Sequence, residues 1–242
     1  MKNEKYFEKI RKKVNHTIFH HKLLDDNDKV LVALSGGKDS LVLMETLASC
    51  KKHFPFQIDL YACHIIAKNI DYQINDKYLK SFCEELEVPL LFREIDFKPD
   101  ASGKKHPCFL CSWHRRKKLF ELCRELKCNK LSFGHHMDDA IETLFLNMIY
   151  HGSISSLPQK LDLFNGDIKV IRPLLHLSEN EIEQYAIRKQ YKKELKTCEF
   201  ENNTHRNHLK MFINETLDLT DQNKKNIFRS MRNIYHDYLP EK

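Results

Sequence analysis

Ser35-Gly36-Gly37-Lys38-Asp39-Ser40 follows the apolar run Val30-Leu31-Val32-Ala33-Leu34 and precedes a segment with Leu41, Met44, Glu45 and Ala48 at helical spacing. An apolar, β-branched run closed by glycine predicts a buried strand, so the order is strand, tight turn, helix. Two adjacent glycines turn where a side chain would clash, and successive N–H groups there can converge with the helix N-terminus on an anion. Ser35 and Ser40 add hydroxyls, and Lys38 adds charge. Asp39 is the odd member, because a carboxylate beside a bound phosphate needs a cation between them, and Mg²⁺ fits that need. The competing use is a polar turn in which Asp39 or Ser40 caps the helix. The Walker spacing GxxxxGK[ST] is absent.

Cys108-Phe109-Leu110-Cys111 is the second reactive group, followed by Ser112-Trp113-His114-Arg115-Arg116-Lys117-Lys118 and a helix through Leu126. A C-x-x-C pair grips one metal or one cluster corner, or closes a redox disulfide. The redox use lacks its context, since the pair does not follow the first strand of its own βαβ unit. Two thiolates complete neither a tetrahedral zinc site nor an iron–sulfur cluster, and Cys198, outside any strong apolar periodicity, is the best further ligand. Three thiolates would hold three irons of a [4Fe–4S] cluster and leave the fourth open. Zinc with His106 or His114 as fourth ligand stands equally well on spacing alone. Cys50, Cys63, Cys83, Cys123 and Cys128 lie in apolar runs or at element ends and are expected in the core or at the surface. Arg115 to Lys118 are expected to begin the helix after the pair, where cations oppose the macrodipole by roughly a few tenths of a kcal/mol each. Phosphate contact would account for them, as would a solvated charged face.

A third group, Gly134-His135-His136-Met137-Asp138-Asp139, joins the strand Leu131-Ser132-Phe133 to a helix through Tyr150. Adjacent carboxylates at a strand-to-helix turn can hold Mg²⁺ through one or two oxygens, or cap the helix. Ile141, Leu144, Phe145 and Met148 are expected on its buried face.

The elements that must position these groups alternate. Ile58 to Ile66 and Leu90 to Ile95 read as strands, with a helix over Tyr72 to Leu86 between them, which predicts an α/β fold around a parallel sheet with right-handed crossovers. Ligands then sit beyond the carboxyl ends of the strands, where Ser35 to Ser40 would lie. His64, near the end of the second strand, either faces that ligand or is buried and hydrogen-bonded. Asn165-Gly166 between Leu161–Phe164 and Ile168–Ile171 signals a hairpin. Ser178 with Glu181 forms a capping box for a helix to Gln190, and two more helices are expected over Arg206 to Leu217 and Asp221 to Tyr235. At the other end, Phe7, Ile10, Val14, Ile18 and Phe19 alternate with Lys9, Arg11, Lys12, Lys13, His16, His20 and His21. That is an amphipathic basic helix, which either packs one face and solvates the other or touches a nucleic-acid backbone. The organisation expected is a basic N-terminal helix (1–27), a nucleotide-binding domain carrying the C-x-x-C (28–152), and a small, mostly helical C-terminal part with the third cysteine (153–242).

With 242 residues, 41% of them hydrophobic, the chain can bury a substantial core, which excludes disorder as its main state. The formal charge of +6 suits a polyanionic partner without requiring one. No apolar segment reaches membrane-span length, and Met1-Lys2-Asn3-Glu4-Lys5 lacks a signal-peptide core, so a soluble cytoplasmic protein is expected.

The hexapeptide resembles the signature of the PP-loop ATP pyrophosphatases, which implies a Rossmann-like fold and cleavage of ATP between the α and β phosphates. The whole ordered set is similar to the tRNA 2-thiocytidine synthetase family from about Asp28 to the C-terminus. The matching pieces are Val30 to Ser40, Cys108 to Ser112 with Arg115-Arg116, Gly134 to Asp139, Glu142 to Asn147, Pro158 to Leu161, Val170 to Leu174, and Cys198 with Arg206. The chain has one cysteine near position 198, where many relatives have a second C-x-x-C, and Trp113-His114 and Lys117-Lys118 around the paired arginines.

The resemblance implies an ATP- and Mg²⁺-dependent sulfurtransferase that adenylates the C2 oxygen of an anticodon-loop cytidine (cytidine 32) in tRNA and inserts sulfur at C2. Cys108, Cys111 and Cys198 fall on the [4Fe–4S] ligands, and Ser35, Gly36, Gly37, Lys38, Asp39 and Ser40 on the nucleotide loop. Asp39 with Asp138 or Asp139 would position Mg²⁺, and Arg115 would steady developing charge. The partners implied are tRNA and a sulfur donor such as a cysteine desulfurase, with a homodimer among the open assemblies. A uridine-directed thiolase and a zinc-stabilised tRNA-binding protein without catalysis are the alternatives.

Overall fold

The computed structural model describes residues 2–68, 76–96, 107–192, 209–213 and 219–240. In chain order the elements are α1 (Lys2–His20), β1 (Asp28–Ala33), α2 (Lys38–Lys51), β2 (Ile58–Ala67), α3 (Asp76–Glu85), β3 (Leu90–Ile95) and α4 (Pro107–Glu125). They continue with β4 (Lys130–Ser132), α5 (Met137–His151), β5 (Lys160–Leu163), β6 (Ile168–Ile171), α6 (Glu179–Arg188) and α7 (Asp221–Ser230). The six strands form one sheet in the order β3-β2-β1-β4-β6-β5. All neighbours are parallel except the β5/β6 hairpin at one edge. Among the described residues no helix is long and apolar enough to cross a membrane.

Strand alternation divides the core into two layers. Val30 and Val32 face the layer built with α1, α2, α3 and α6, whereas Leu31 faces Leu119, Leu122 and Cys123 of α4 on the other side. A strand covered on both faces has to be apolar throughout, which is why the run before Ser35 carries no polar alternation. Asn165 (φ 57°) and Gly166 (φ 94°) take the left-handed conformations that the turn between β5 and β6 demands.

Three expectations need correcting. Residues 153–190, read as part of a separate appendage, supply β5, β6 and α6 to the central sheet and core, because β6 pairs directly with β4 and Tyr185 packs on Phe7. Met148 is 47% exposed and Phe145 only half-buried, so the apolar face of α5 is narrower than its pattern suggested. Phe19 is 47% exposed and meets Phe54 and Phe56 edge-on at the end of α1.

The chain leaves β1 towards β2 on one side, while β4 pairs with β1 on the other. That makes the β1/β4 boundary the topological switch point, the crevice in which open α/β sheets bind ligands.

Candidate active site

β1 delivers the first turn to that crevice. Gly36 adopts φ 93°, a conformation that L side chains rarely take, and Gly37 is the N-cap of α2 without any side-chain cap. Helix α2 already begins at Lys38, so neither Asp39 nor Ser40 serves as the cap. Ser40 braces the loop instead. Its buried hydroxyl accepts from Gly36 N–H (3.1 Å) and Ser35 Oγ (3.1 Å) and donates to the Gly37 carbonyl (2.9 Å). With one proton given and two lone pairs filled, that hydroxyl is saturated. Ser35, which is exposed, also accepts from Gly37 N–H at 3.2 Å.

Lys38 Nζ lies 2.9 Å from Asp39 Oδ1 and 3.4 Å from Glu179 Oε1 at the start of α6. Burial works against its ammonium, but Asp39 and then Glu179 outweigh that and raise the lysine's pKa. Glu179 also meets Lys210 at 2.9 Å. Burial would raise its pKa, yet the hydrogen bond and charge of Lys210, with Lys38 and His136, bring it down to about 2.

β4 delivers the second turn, and Gly134 is pressed against the first. A Cβ there would stand 2.9 Å from the Asp39 carbonyl oxygen, 3.0 Å from its carbon and 3.2 Å from Ser40 N. Backbone meets backbone, so only glycine fits. His136, 3% exposed, then lies among all three predicted carboxylates. Its Nε2 is 3.4 Å from Asp139 Oδ2 and 3.8 Å from Asp39 Oδ1, and its Nδ1 is 3.8 Å from Asp138 Oδ2.

The carboxylates are not equivalent. Asp138 accepts from Glu179 N–H (2.7 Å) and pairs with Lys224 Nζ of α7 (2.9 Å), so both its oxygens are committed. Asp139 accepts from His136 N–H at 2.9 Å, bracing the first turn of its own helix. Asp39 has the most exposed side chain of the three, 35% against 20% for Asp139 and 7% for Asp138.

Helix α4 begins at Pro107, a residue suited to the first helical position because it has no N–H to leave unbonded. Cys108 and Cys111 therefore sit inside the first turn, three residues apart on one face, and Arg115 continues the same stripe. The expectation that Arg115 to Lys118 start this helix was wrong. They lie two turns in, beyond the reach of the N-terminal dipole, and the positive helix end points at the sulfurs instead. Both thiols are half-buried, and Cys111 packs on the same apolar layer as Ala33 and Phe133, which end β1 and follow β4. The other five described cysteines are buried in the core, as expected. Burial pushes the Cys50, Cys63, Cys83 and Cys123 thiols up to about 12, and Cys128 to about 11. Cys198, His106 and Arg206 lie outside the described residues, and among those described no group of three His, Cys, Asp or Glu is arranged to hold a metal.

The basic stripe of α4 reaches the crevice. Arg115 bears on His64, a fully buried histidine whose Nδ1 meets the Leu34 carbonyl at 2.7 Å. Arg116 bears on Arg172, whose Nη1 donates to Pro158 O at 2.6 Å. Burial first, and Arg116 second, lower the Arg172 pKa to about 10 against the pull of Asp139. Arg172, His136, Glu179 and Lys224 are the site residues that sequence reasoning missed. His136 carried a local signal in its place beside Asp138-Asp139, and Arg172 lay in the matching stretch Val170 to Leu174 without a role assigned to it.

This arrangement has counterparts. A family model described as PP-loop domain matches residues 5–217. The tRNA-cytidine(32) 2-sulfurtransferase of Hahella chejuensis is 33% identical over 233 residues, covering 95% of this chain and 82% of that protein. Its namesake in Aliivibrio fischeri is 33% identical over 238 residues, covering 96% and 77%. Among solved structures, the U34-tRNA thiolase NcsA from Methanococcus maripaludis with its [4Fe–4S] cluster matches at TM-score 0.74 and 25% identity, over 96% of this chain and 79% of that one. With its nucleotide turn, acidic turn and paired cysteines set along one sheet edge, the chain belongs to the PP-loop family and, within it, to the tRNA-cytidine(32) 2-sulfurtransferases.

Proposed function

We propose that this protein thiolates C2 of cytidine 32 in tRNA at the expense of ATP. The C2 oxygen is a poor leaving group. A bond from that oxygen to the α-phosphorus forms as the α–β bridge breaks and pyrophosphate departs; sulfide then adds at C2 and AMP leaves with the oxygen. The first turn of α2, whose leading N–H groups have no carbonyl partner within the helix, holds the charge of the departing pyrophosphate. Ser40 ties the glycine turn to that helix through Gly36 N–H and Ser35 Oγ. Lys38 is fixed between Asp39 and Glu179, so it meets the phosphates already oriented.

Asp39 and Asp139, on either side of His136, are the carboxylates for Mg²⁺, which when bound offsets charge between phosphate and carboxylate. Asp138, its oxygens committed to α6 and α7, shapes the pocket. Arg115 steadies charge developing on the adenylate or the base. Cys108 and Cys111 suit two corners of a [4Fe–4S] cluster by donor type, spacing and partial exposure, and Cys198 is the third ligand. When bound, that cluster supplies an iron without a protein ligand, at which an exchangeable sulfur can be presented without consuming a cysteine. A sulfur donor such as a cysteine desulfurase replenishes it, with a thiol reductant supplying the two electrons that bring persulfide sulfur to the sulfide level.

The observation that carries this reading is the lock between the two turns at Gly134, which gathers Asp39, Asp138 and Asp139 around one imidazole at the switch point. Nucleoside analysis of tRNA from a deletion strain tests it. Loss of 2-thiocytidine, restored by the wild-type chain, is expected, whereas loss of a thiouridine would transfer the target to the base named for NcsA. Asp39→Ala should fail to restore the modification while keeping tRNA affinity within about twofold, since it removes a group facing phosphate and not RNA backbone.

A further inference from the structure

A groove of about 600 Å³ runs along α1, lined chiefly by Lys5, Glu8, Lys9, Lys12, Lys13 and His176. Some of this charge is balanced: Lys12 pairs with Glu8 (2.8 Å), Arg11 with Glu4 (3.0 Å), and Lys13 with Glu181 (2.5 Å). Lys5 and Lys9 are exposed and have no acidic partner among the described residues. Of the described lining residues, His176, just before α6, is the one that does not belong to α1, and a further cation stands behind it. Arg232, just past α7 and exposed, lies over Phe228 (5.9 Å), and Phe228 meets His176 edge-on (5.4 Å). His176 in turn meets His21 of the helix–strand connection (5.0 Å).

We infer that this groove is a track for the phosphodiester backbone of the tRNA on one side of the target base. From Lys5 to His16 the helix rises about 17 Å at 1.5 Å per residue, which is about five nucleotide steps of a stacked strand and far more than one phosphate requires. Arg232 adds a cation beside Phe228 and His176, where the row of α1 lysines ends. The end of the groove also leads to the chemistry. His176 stands two residues before Ser178, which caps α6, and Glu179 beside that cap holds Lys38 of the nucleotide turn. Lys13 and the Tyr6 hydroxyl both reach Glu181 in the same helical turn, the latter at 2.9 Å from its carbonyl. A strand seated on α1 is thereby linked through the start of α6 to the residues that hold the nucleotide turn.

This inference rests on tRNA being the substrate, so binding and modification are measured separately. Affinity of the anaerobically prepared full chain for unmodified tRNA is recorded over a salt series. Each lysine withdrawn from a phosphate lowers the steepness of log Kobs against log salt by about one. Lys5→Ala/Lys9→Ala should flatten that slope by about two and Arg232→Ala by about one, with unchanged ATP affinity reporting an intact fold. Lys77→Ala/Lys80→Ala on α3, beside the opposite sheet edge, should leave the slope as it was. Wild-type slopes in both groove variants, or an equal loss in the α3 variant, would overturn the assignment. Wild-type protein that binds tRNA but never thiolates it would sink the proposed function, and the slopes would still judge the groove.

Discussion

At Gly134 a single hydrogen atom stands where any other residue would put a carbon. The neighbours a Cβ would strike are the carbonyl group of Asp39 and the amide of Ser40, which belong to a helix and cannot swing aside as a side chain can. Gly134→Ala should therefore separate the two turns, lowering stability by about 1–3 kcal/mol and weakening ATP by at least about tenfold, as calorimetric unfolding and titration would show. Wild-type ATP affinity in this variant would mean that the contact has no part in shaping the nucleotide site. At this scale the sequence was informative wherever chemistry demands a rare residue type. Glycines in a turn, two cysteines three apart and paired aspartates declare themselves. The division of labour among the aspartates did not, because it depends on Glu179 and Lys224, which approach Asp138 from 41 and 86 positions away.

Between elements, the contact that most constrains the site is the ion pair of Asp138 on α5 with Lys224 on α7. Their side chains are 7% and 18% exposed, so removing the ammonium leaves a largely dehydrated carboxylate with the Glu179 amide and the His136 ring as its remaining polar neighbours. Lys224→Met should cost about 3 kcal/mol, and adding Asp138→Asn should recover part of that loss by removing the stranded charge. A double-mutant cycle by urea unfolding checks it, with strictly additive losses as the contrary result. Helix α4 shows why some element boundaries escaped the sequence. Proline tends to end structure, and the polar stretch before it reads as loop, so Cys108 was placed ahead of the helix. Its acceptance at a first helical position is equally physical, and here that use prevails. Strand β3 was read to its end residues because an apolar run between turn signals leaves little choice.

For the molecule as a whole, two half-buried groups couple the site's surroundings to acid. Burial, with the neighbouring charges of His21 and Arg232, lowers the His176 pKa from 6.5 to about 4. That histidine is neutral in the folded chain, so stability is complete above pH 6.5 and falls as pH drops towards 4. Glu179, at about 2 against an ordinary 4.5, contributes stability that is complete above pH 4.5 and lost as pH falls towards 2. Each can be worth up to about 3 kcal/mol, in adjoining pH windows and in the same direction. His176→Gln should flatten the upper window and Glu179→Gln the lower, in unfolding free energies measured from pH 7 to 3. A His176→Gln curve parallel to wild type would show that the ring is not held neutral by folding. The sheet class was readable at this scale because strands and helices alternate with regular lengths. That residues 153–190 close the same sheet was not, because pairing of β6 with β4 is a long-range choice that a local composition shift does not reveal. Lys224 adds a matter of timing. During synthesis the ribosome extrudes the glycine turn, the cysteine pair and the acidic turn long before the cation that holds Asp138 in place, so the nascent chain stays unable to assemble its finished pocket until α7 has been released.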